Sequence, residues 1–123
     1  YWSPTKLAEQ FAVVESRLSV AMVASDMAEV NADGKLVVPS VLAAHDMLAH
    51  FQALRARPIP RALSLLLTTN FVPTGTVLAR RDAVIAAGGF PSNIRYGEDL
   101  ALWARLAHAH DIVCLPTVHM YRR

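Results

Sequence analysis

Apolar side chains recur along the first twenty residues at helical spacing, with Leu7, Phe11, Val14 and Leu18 three to four positions apart on one face. Ser3 followed by Pro4 marks a helix start, because a serine hydroxyl accepts from free amides and proline tolerates the first helical position. The next run, SVAMVAS, is short, apolar and valine-containing, which fits a strand buried on both faces and closed by Asp26. The Asp33-Gly34 pair then predicts a turn, with a hairpin or protruding loop leading into LVVP. From Ser40 to about Arg57, Val41, His45, Leu48 and Phe51 follow one helical stripe, and Pro58 and Pro60 end it.

The uncharged run from Ala62 to Ala79 raises the question of a membrane span. Asn70, Pro73, Gly75 and four threonines break it, so it reads as a buried helix end, a loop and a strand. GTVLARR is then a strand, and RDAVIAAGG a short helix stopped by Gly88 and Gly89, the residues best able to take the left-handed closing conformation. After the loop FPSNIRY, the segment EDLALWARLAHAH predicts a helix, DIVCLP a strand and VHMYRR a final extended piece. Alternating strands and helices predict an α/β fold, a layered mixed sheet with flanking helices.

A chain of 123 residues with 54% hydrophobic content can build one core. Twelve basic against ten acidic residues give a net charge of +2, with none of the electrostatic footprint that tracks phosphate backbones, so nucleic acid is not expected as a partner. The one cysteine, Cys114, cannot form an internal disulfide and reads as a small buried hydrophobe, which fits a reducing compartment. The first ten residues do not carry the basic, apolar and small-residue pattern of a secretion signal. No internal repeat or low-complexity tract is present.

The candidate chemistry lies at Glu98 and Asp99. Asp99, Leu102, Trp103 and Leu106 are related by three, four and seven positions and share one helix face, so Asp99 belongs to a core-facing or cleft-facing edge. One reading is structural: both acids satisfy free amides and complement the helix dipole. The other is catalytic, since a helix start favours an ionised carboxylate and a general base must be ionised. Among the five histidines, His45 and His50 are five apart and His108 and His110 two apart, spacings that do not stack ligands on one helical face.

The order of residues from Asn70 to Ala107 resembles the C-terminal half of the catalytic domain of family 2 glycosyltransferases, inverting enzymes of the GT-A type. Their pattern is a strand with one or two arginines, a short helix, Gly-Gly-Phe, a loop, then Glu-Asp followed by Leu-Trp and Arg-Leu. Here it is met by Arg80, Arg81, Gly88, Gly89, Phe90, Glu98, Asp99, Leu102, Trp103, Arg105 and Leu106. YWSPTKLAEQ is similar to the family's Trp-x-Pro-x-Lys-Leu-x-x-Gln segment, VASDMAEVNADGK to its next strand and turn, and VHMYRR to its closing strand.

The resemblance implies transfer of a sugar from a nucleotide-sugar donor to a glycan or lipid-linked acceptor hydroxyl, of the kind used to build cell-surface polysaccharide. Asp99 would be the general base, and Glu98 would orient the acceptor or support the helix start. Asn70, Thr74, Thr76, Gly88, Gly89 and Arg95 would lie beside donor and acceptor, although the three polar residues among them equally suit turn and cap roles. Trp103 continues the apolar stripe and is expected in the core. Tyr121 and Arg122 are candidates for a phosphate contact, against plain solvation.

A divalent metal, Mn or Mg, is implied for the complete enzyme. No Asp-x-Asp occurs in this chain, and the residue it offers as a candidate metal ligand is His119. The expectation is therefore a single domain over 1–123, the acceptor-side part of a GT-A domain without its nucleotide-binding half, inactive alone. Such a part would expose a sheet edge and form homo-oligomers through it. The expected location is the cytoplasm, including the inner face of the membrane, with no transmembrane span. The alternative is a non-catalytic or partner-binding α/β module in which Glu98 and Asp99 only cap a helix.

Overall fold

The computed structural model of the chain describes residues 1–90 and 97–123. Its centre is a four-stranded mixed sheet flanked by helices. The most buried element is β1, Val20–Val30, which is buried from Val20 through Ala28. The closing strand β4, Asp111–Arg122, pairs parallel with β1 along its length. Two short strands share the opposite edge of β1, both antiparallel: β2, Leu36–Val38, pairs at Glu29 and Val30, and β3, Leu78–Ala79, at Met22 and Val23. A parallel partner requires a long crossover, and the intervening helices supply it.

From Met22 onward the side chains of β1 alternate between two cores, as strand geometry requires. Met22 and Ala24, with Ile112 and Cys114 of β4, enter the larger core. That core is covered by α2 (Val41–Ala44), α3 (Leu48–Leu54), α4 (Ala62–Thr68), α5 (Arg81–Ala86) and α6 (Glu98–Ala109), which contribute Leu42, Phe51, Leu66, Ala83, Leu102, Trp103 and Leu106. Val20, Val23, Val113 and Leu115 face the other way, under Val14 of α1 (Lys6–Ser16). The Asp33-Gly34 turn is formed, with Gly34 at φ +80° and Asn31 Oδ1 accepting from the amides of Asp33 and Lys35.

The first helix buries a different face from the one its apolar spacing predicts. Lys6, Gln10 and Val14 point inward, while Leu7 and Phe11 are more than half exposed and Leu18 lies beyond the helix end. Two faces compete here, and the one chosen carries polar side chains that find partners inside. Nor does Ser3 cap this helix: the cap position is Thr5, and the Ser3 hydroxyl is buried without a partner among the described residues.

Asp26 does not close its strand. It sits buried in the middle of β1, where its carboxylate accepts from the Met27 amide (2.8 Å), the Leu42 amide (3.0 Å) and the Ser40 hydroxyl. Ser40 in turn accepts from the Ala43 amide, so one buried acid and one hydroxyl fix the start of α2. The stripe expected as one helix from Ser40 to Arg57 is two helices, interrupted where Asp46 takes φ 58°. A short polar residue tolerates that left-handed conformation, and the break lets Leu42 and Phe51 both reach the core. His45 ends up exposed.

GTVLARR yields only a two-residue strand, because Thr74–Thr76 form a 3-10 turn. DIVCLP and VHMYRR are one continuous strand, with a register shift between Leu115 and Val118 that absorbs Pro116. The outer edge of β4 is met at both ends by the chain itself. Ile59 donates its amide to Ile112, Ser3 donates to His119, and Tyr121 donates to Tyr1. Among the described residues no helix is long and apolar enough to cross a membrane.

Candidate functional site

Helix α6 begins after Gly97, which takes φ 77° and leaves Glu98 and Asp99 in the first turn. Leu102, Trp103 and Leu106 are buried on the stripe that Asp99 heads, as the spacing predicts. Both acids remain half-buried at its open end. Neither makes a hydrogen bond to an α6 amide among the described residues. Instead, Asp99 Oδ2 accepts from the Thr74 hydroxyl at 2.6 Å.

Thr74 belongs to a turn held from three sides. The Thr76 carbonyl accepts from Gln10 Nε2 at 2.6 Å, the Gly75 carbonyl from Trp2 Nε1 at 2.9 Å, and the Thr76 hydroxyl from the Ser25 amide at 3.1 Å. Gly75 lies under Met120: a Cβ there would stand 2.5 Å from the Met120 sulfur. Three long-range bonds, each contributing about 1 kcal/mol net, therefore set the position of the hydroxyl that holds Asp99.

Those bonds end a buried polar chain. Lys6 Nζ donates to Gln10 Oε1 at 2.8 Å and stands 4.3 Å from the centre of the Trp2 ring. Gln10 Nε2 also donates to Ser25 Oγ at 2.9 Å. Ser25 Oγ lies 2.8 Å from His119 Nδ1, and His119 Nε2 lies 2.5 Å from Glu9 Oε2. The polarity that satisfies every group has Ser25 donating to Nδ1 and the Nε2 proton on Glu9. Lys6 is nearly inaccessible, and burial lowers its pKa from the ordinary lysine value.

This placement answers several expectations residue by residue. Thr76 is fully buried, its hydroxyl donating to the Pro73 carbonyl, so it shapes the turn and presents nothing to a ligand. Asn70 is exposed and its side-chain oxygen accepts from the Val72 amide at 3.4 Å, a turn role that leaves its amide group toward solvent. Gly88 and Gly89 take φ 89° and 66° and close α5, their amides donating to Ile85 and Val84. Arg95 lies outside the described residues. Tyr121 stacks on Tyr1 with ring centres 5.0 Å apart, and Arg122 pairs with Glu29, so both are engaged within the protein.

His119, the candidate metal ligand, is fully buried with both ring nitrogens on protein partners, which leaves neither available to an ion in this arrangement. Among the described residues no three His, Cys, Asp or Glu side chains converge as a metal site. The described residues thus supply no ligand set for the implied Mn or Mg.

Thr74, which holds Asp99, also lines a cleft of about 220 Å³ together with Val77, Ala79, Val84, Phe90, Leu102 and Trp103. The Phe90 and Trp103 rings meet edge to face at 5.9 Å. Other hollows lie elsewhere, including one lined by His50, Arg61, Ser64 and Thr68. The first adjoins both Thr74 and the α6 side chains Leu102 and Trp103.

Sequence reasoning missed the buried polar set of Lys6, Gln10, Ser25 and Asp26. The available signal was polar residues inside apolar runs, and the four-residue interval of Trp2, Lys6 and Gln10. No protein-family model matches the chain, and no curated protein matches it.

Proposed function

We propose that the chain is the acceptor-side part of an inverting, nucleotide-sugar-dependent glycosyltransferase of the GT-A type, with Asp99 as general base. The observation that carries this reading is the Asp99 carboxylate in the first turn of α6, held through Oδ2 by Thr74, a residue that also lines a cleft. Asp99 Oδ1 has no protein donor among the described residues, so it is the oxygen that faces an incoming hydroxyl. As the acceptor oxygen attacks the anomeric carbon, its proton passes to Asp99. The bond from that carbon to the diphosphate oxygen breaks, and its electron pair leaves with the diphosphate. Glu98, beside Asp99, orients the acceptor.

Nucleotide-sugar supply places this chemistry in the cytoplasm, at the inner membrane face for a lipid-linked acceptor. Glycan acceptors would be met away from the membrane.

The test is sugar transfer by the full-length gene product with Asp99→Asn. The amide keeps the size and the acceptor oxygen for Thr74 but cannot take a proton. Turnover should fall by at least about a hundredfold, with the unfolding midpoint unchanged. Transfer that survives the substitution would remove Asp99 from the mechanism, and a wild-type protein that hydrolyses or transfers no nucleotide sugar would remove the enzyme reading.

A further inference from the structure

We propose that the cleft beside Asp99 receives an uncharged apolar group of the acceptor, a single ring or short alkyl chain next to the reacting hydroxyl. This rests on the reading of Asp99 as base and adds the chemical class of what it deprotonates. Six of the seven lining side chains, Val77, Ala79, Val84, Phe90, Leu102 and Trp103, are apolar, and none is charged. A charged ligand would lose its hydration there without a counter-ion. A sugar ring would present several hydroxyls to a wall whose single polar group is the Thr74 hydroxyl, which already donates to Asp99.

Size narrows the class further. At about 220 Å³ the cleft is smaller than the sites that hold drug-sized molecules, so it takes one ring or a short chain. Phe90 is 52% exposed and meets the Trp103 ring edge to face, which adds an aromatic wall to the cleft. One polar feature remains: Trp103 is 3% exposed, and its Nε1 is buried without a hydrogen-bond partner among the described residues. Buried indole N–H groups normally find an acceptor. Because Asp99 precedes Leu102 and Trp103 by one helical turn, a ring against those two side chains carries its neighbouring hydroxyl toward the carboxylate.

The experiment uses the two indole N–H resonances of the protein, from Trp2 and Trp103, in a nitrogen-15 spectrum. Trp2→Phe assigns them. Phenyl β-glucoside is titrated against methyl β-glucoside, which carries the same sugar without the apolar ring. The Trp103 resonance should shift saturably with the phenyl compound and at least about tenfold more weakly with the methyl one. The Trp2 resonance, whose N–H already donates to Gly75, should stay in place. A Trp103 resonance that does not move, or that responds equally to both glucosides, overturns the proposal. Binding is read without turnover, so the two readings fail separately. Asp99→Asn should keep the phenyl-induced shift while losing transfer, and a shift in a protein that transfers no sugar would leave the cleft standing and the enzyme reading fallen.

Discussion

Thr74 Oγ1 and Asp99 Oδ2 are 2.6 Å apart, which joins the 3-10 turn to the first turn of α6 across 25 residues of sequence. A hydrogen bond to a charged acceptor contributes about 1.5 to 3 kcal/mol when well formed, and less when water competes. In the proposed reaction its loss frees the carboxylate to rotate away from the acceptor. Thr74→Val should therefore lower kcat by roughly tenfold with little change in KM, the rate equivalent of about 1.4 kcal/mol. Thr74→Ser keeps the hydroxyl and should restore most of it. Loss in the serine variant without loss in the valine variant would mean that the threonine methyl, not the hydrogen bond, matters.

Asp26 gives a stability prediction independent of function. Its carboxylate serves the amides of Met27 and Leu42 and the hydroxyl of Ser40, all in a buried setting. Asp26→Ala strands these donors and should cost about 3 kcal/mol. Asp26→Asn keeps one acceptor oxygen and should cost roughly half of that. Urea denaturation followed by circular dichroism measures both, and a midpoint unchanged in the alanine variant would show that water replaces the carboxylate.

The contrast between α6 and α1 explains how much the sequence disclosed. In α6 the apolar stripe is unopposed: Leu102, Trp103 and Leu106 can satisfy themselves only in the core, so their spacing locates Asp99 at the helix mouth. In α1 the same rule fails, because Lys6 and Gln10 have partners inside that a single sequence does not reveal, and Leu7 and Phe11 are left outward. Asp26 follows the α1 logic. Read locally, an acid after an apolar run ends a strand; only the distant Ser40 and Leu42 make its burial affordable. The pairing of Thr74 with Asp99 was hidden for the same reason, although each was a candidate alone. Turn chemistry was legible where glycine carries a positive φ, at Gly34, Gly88 and Gly89.

Cys114 should be chemically silent in the folded protein. Burial first, and the negative charge of Asp26 second, push its thiol well above the ordinary cysteine range. The reactive species is the thiolate, so at pH 8.5 iodoacetamide should label the folded chain roughly 100-fold more slowly than the urea-unfolded chain. Intact-mass measurement follows the reaction. Asp26→Asn should accelerate labelling only modestly beyond what its loss of stability explains, because burial is the larger cause. Labelling of the folded wild type at the unfolded rate would show that β4 opens readily at Cys114.

Lys6 supplies a pH dependence whose sign follows from its burial. Its ammonium group lies under Trp2 with Gln10 Oε1 as acceptor, and desolvation lowers its pKa in the folded state. The folded protein therefore releases this proton at a lower pH than the unfolded chain does. Between the two values the unfolded state binds more protons, so Lys6 makes stability rise as pH rises. Below that window the group is charged in both states and its desolvation weighs against folding. Lys6→Met keeps the length and removes the charge. The difference in unfolding free energy, wild type minus variant, should increase as pH is raised through the depressed folded value toward the ordinary lysine range near 10.4. Urea titrations at a series of alkaline pH values measure it. A difference that stays flat would mean that Lys6 is hydrated in solution, and a falling one would mean that a carboxylate partner stabilises its charge.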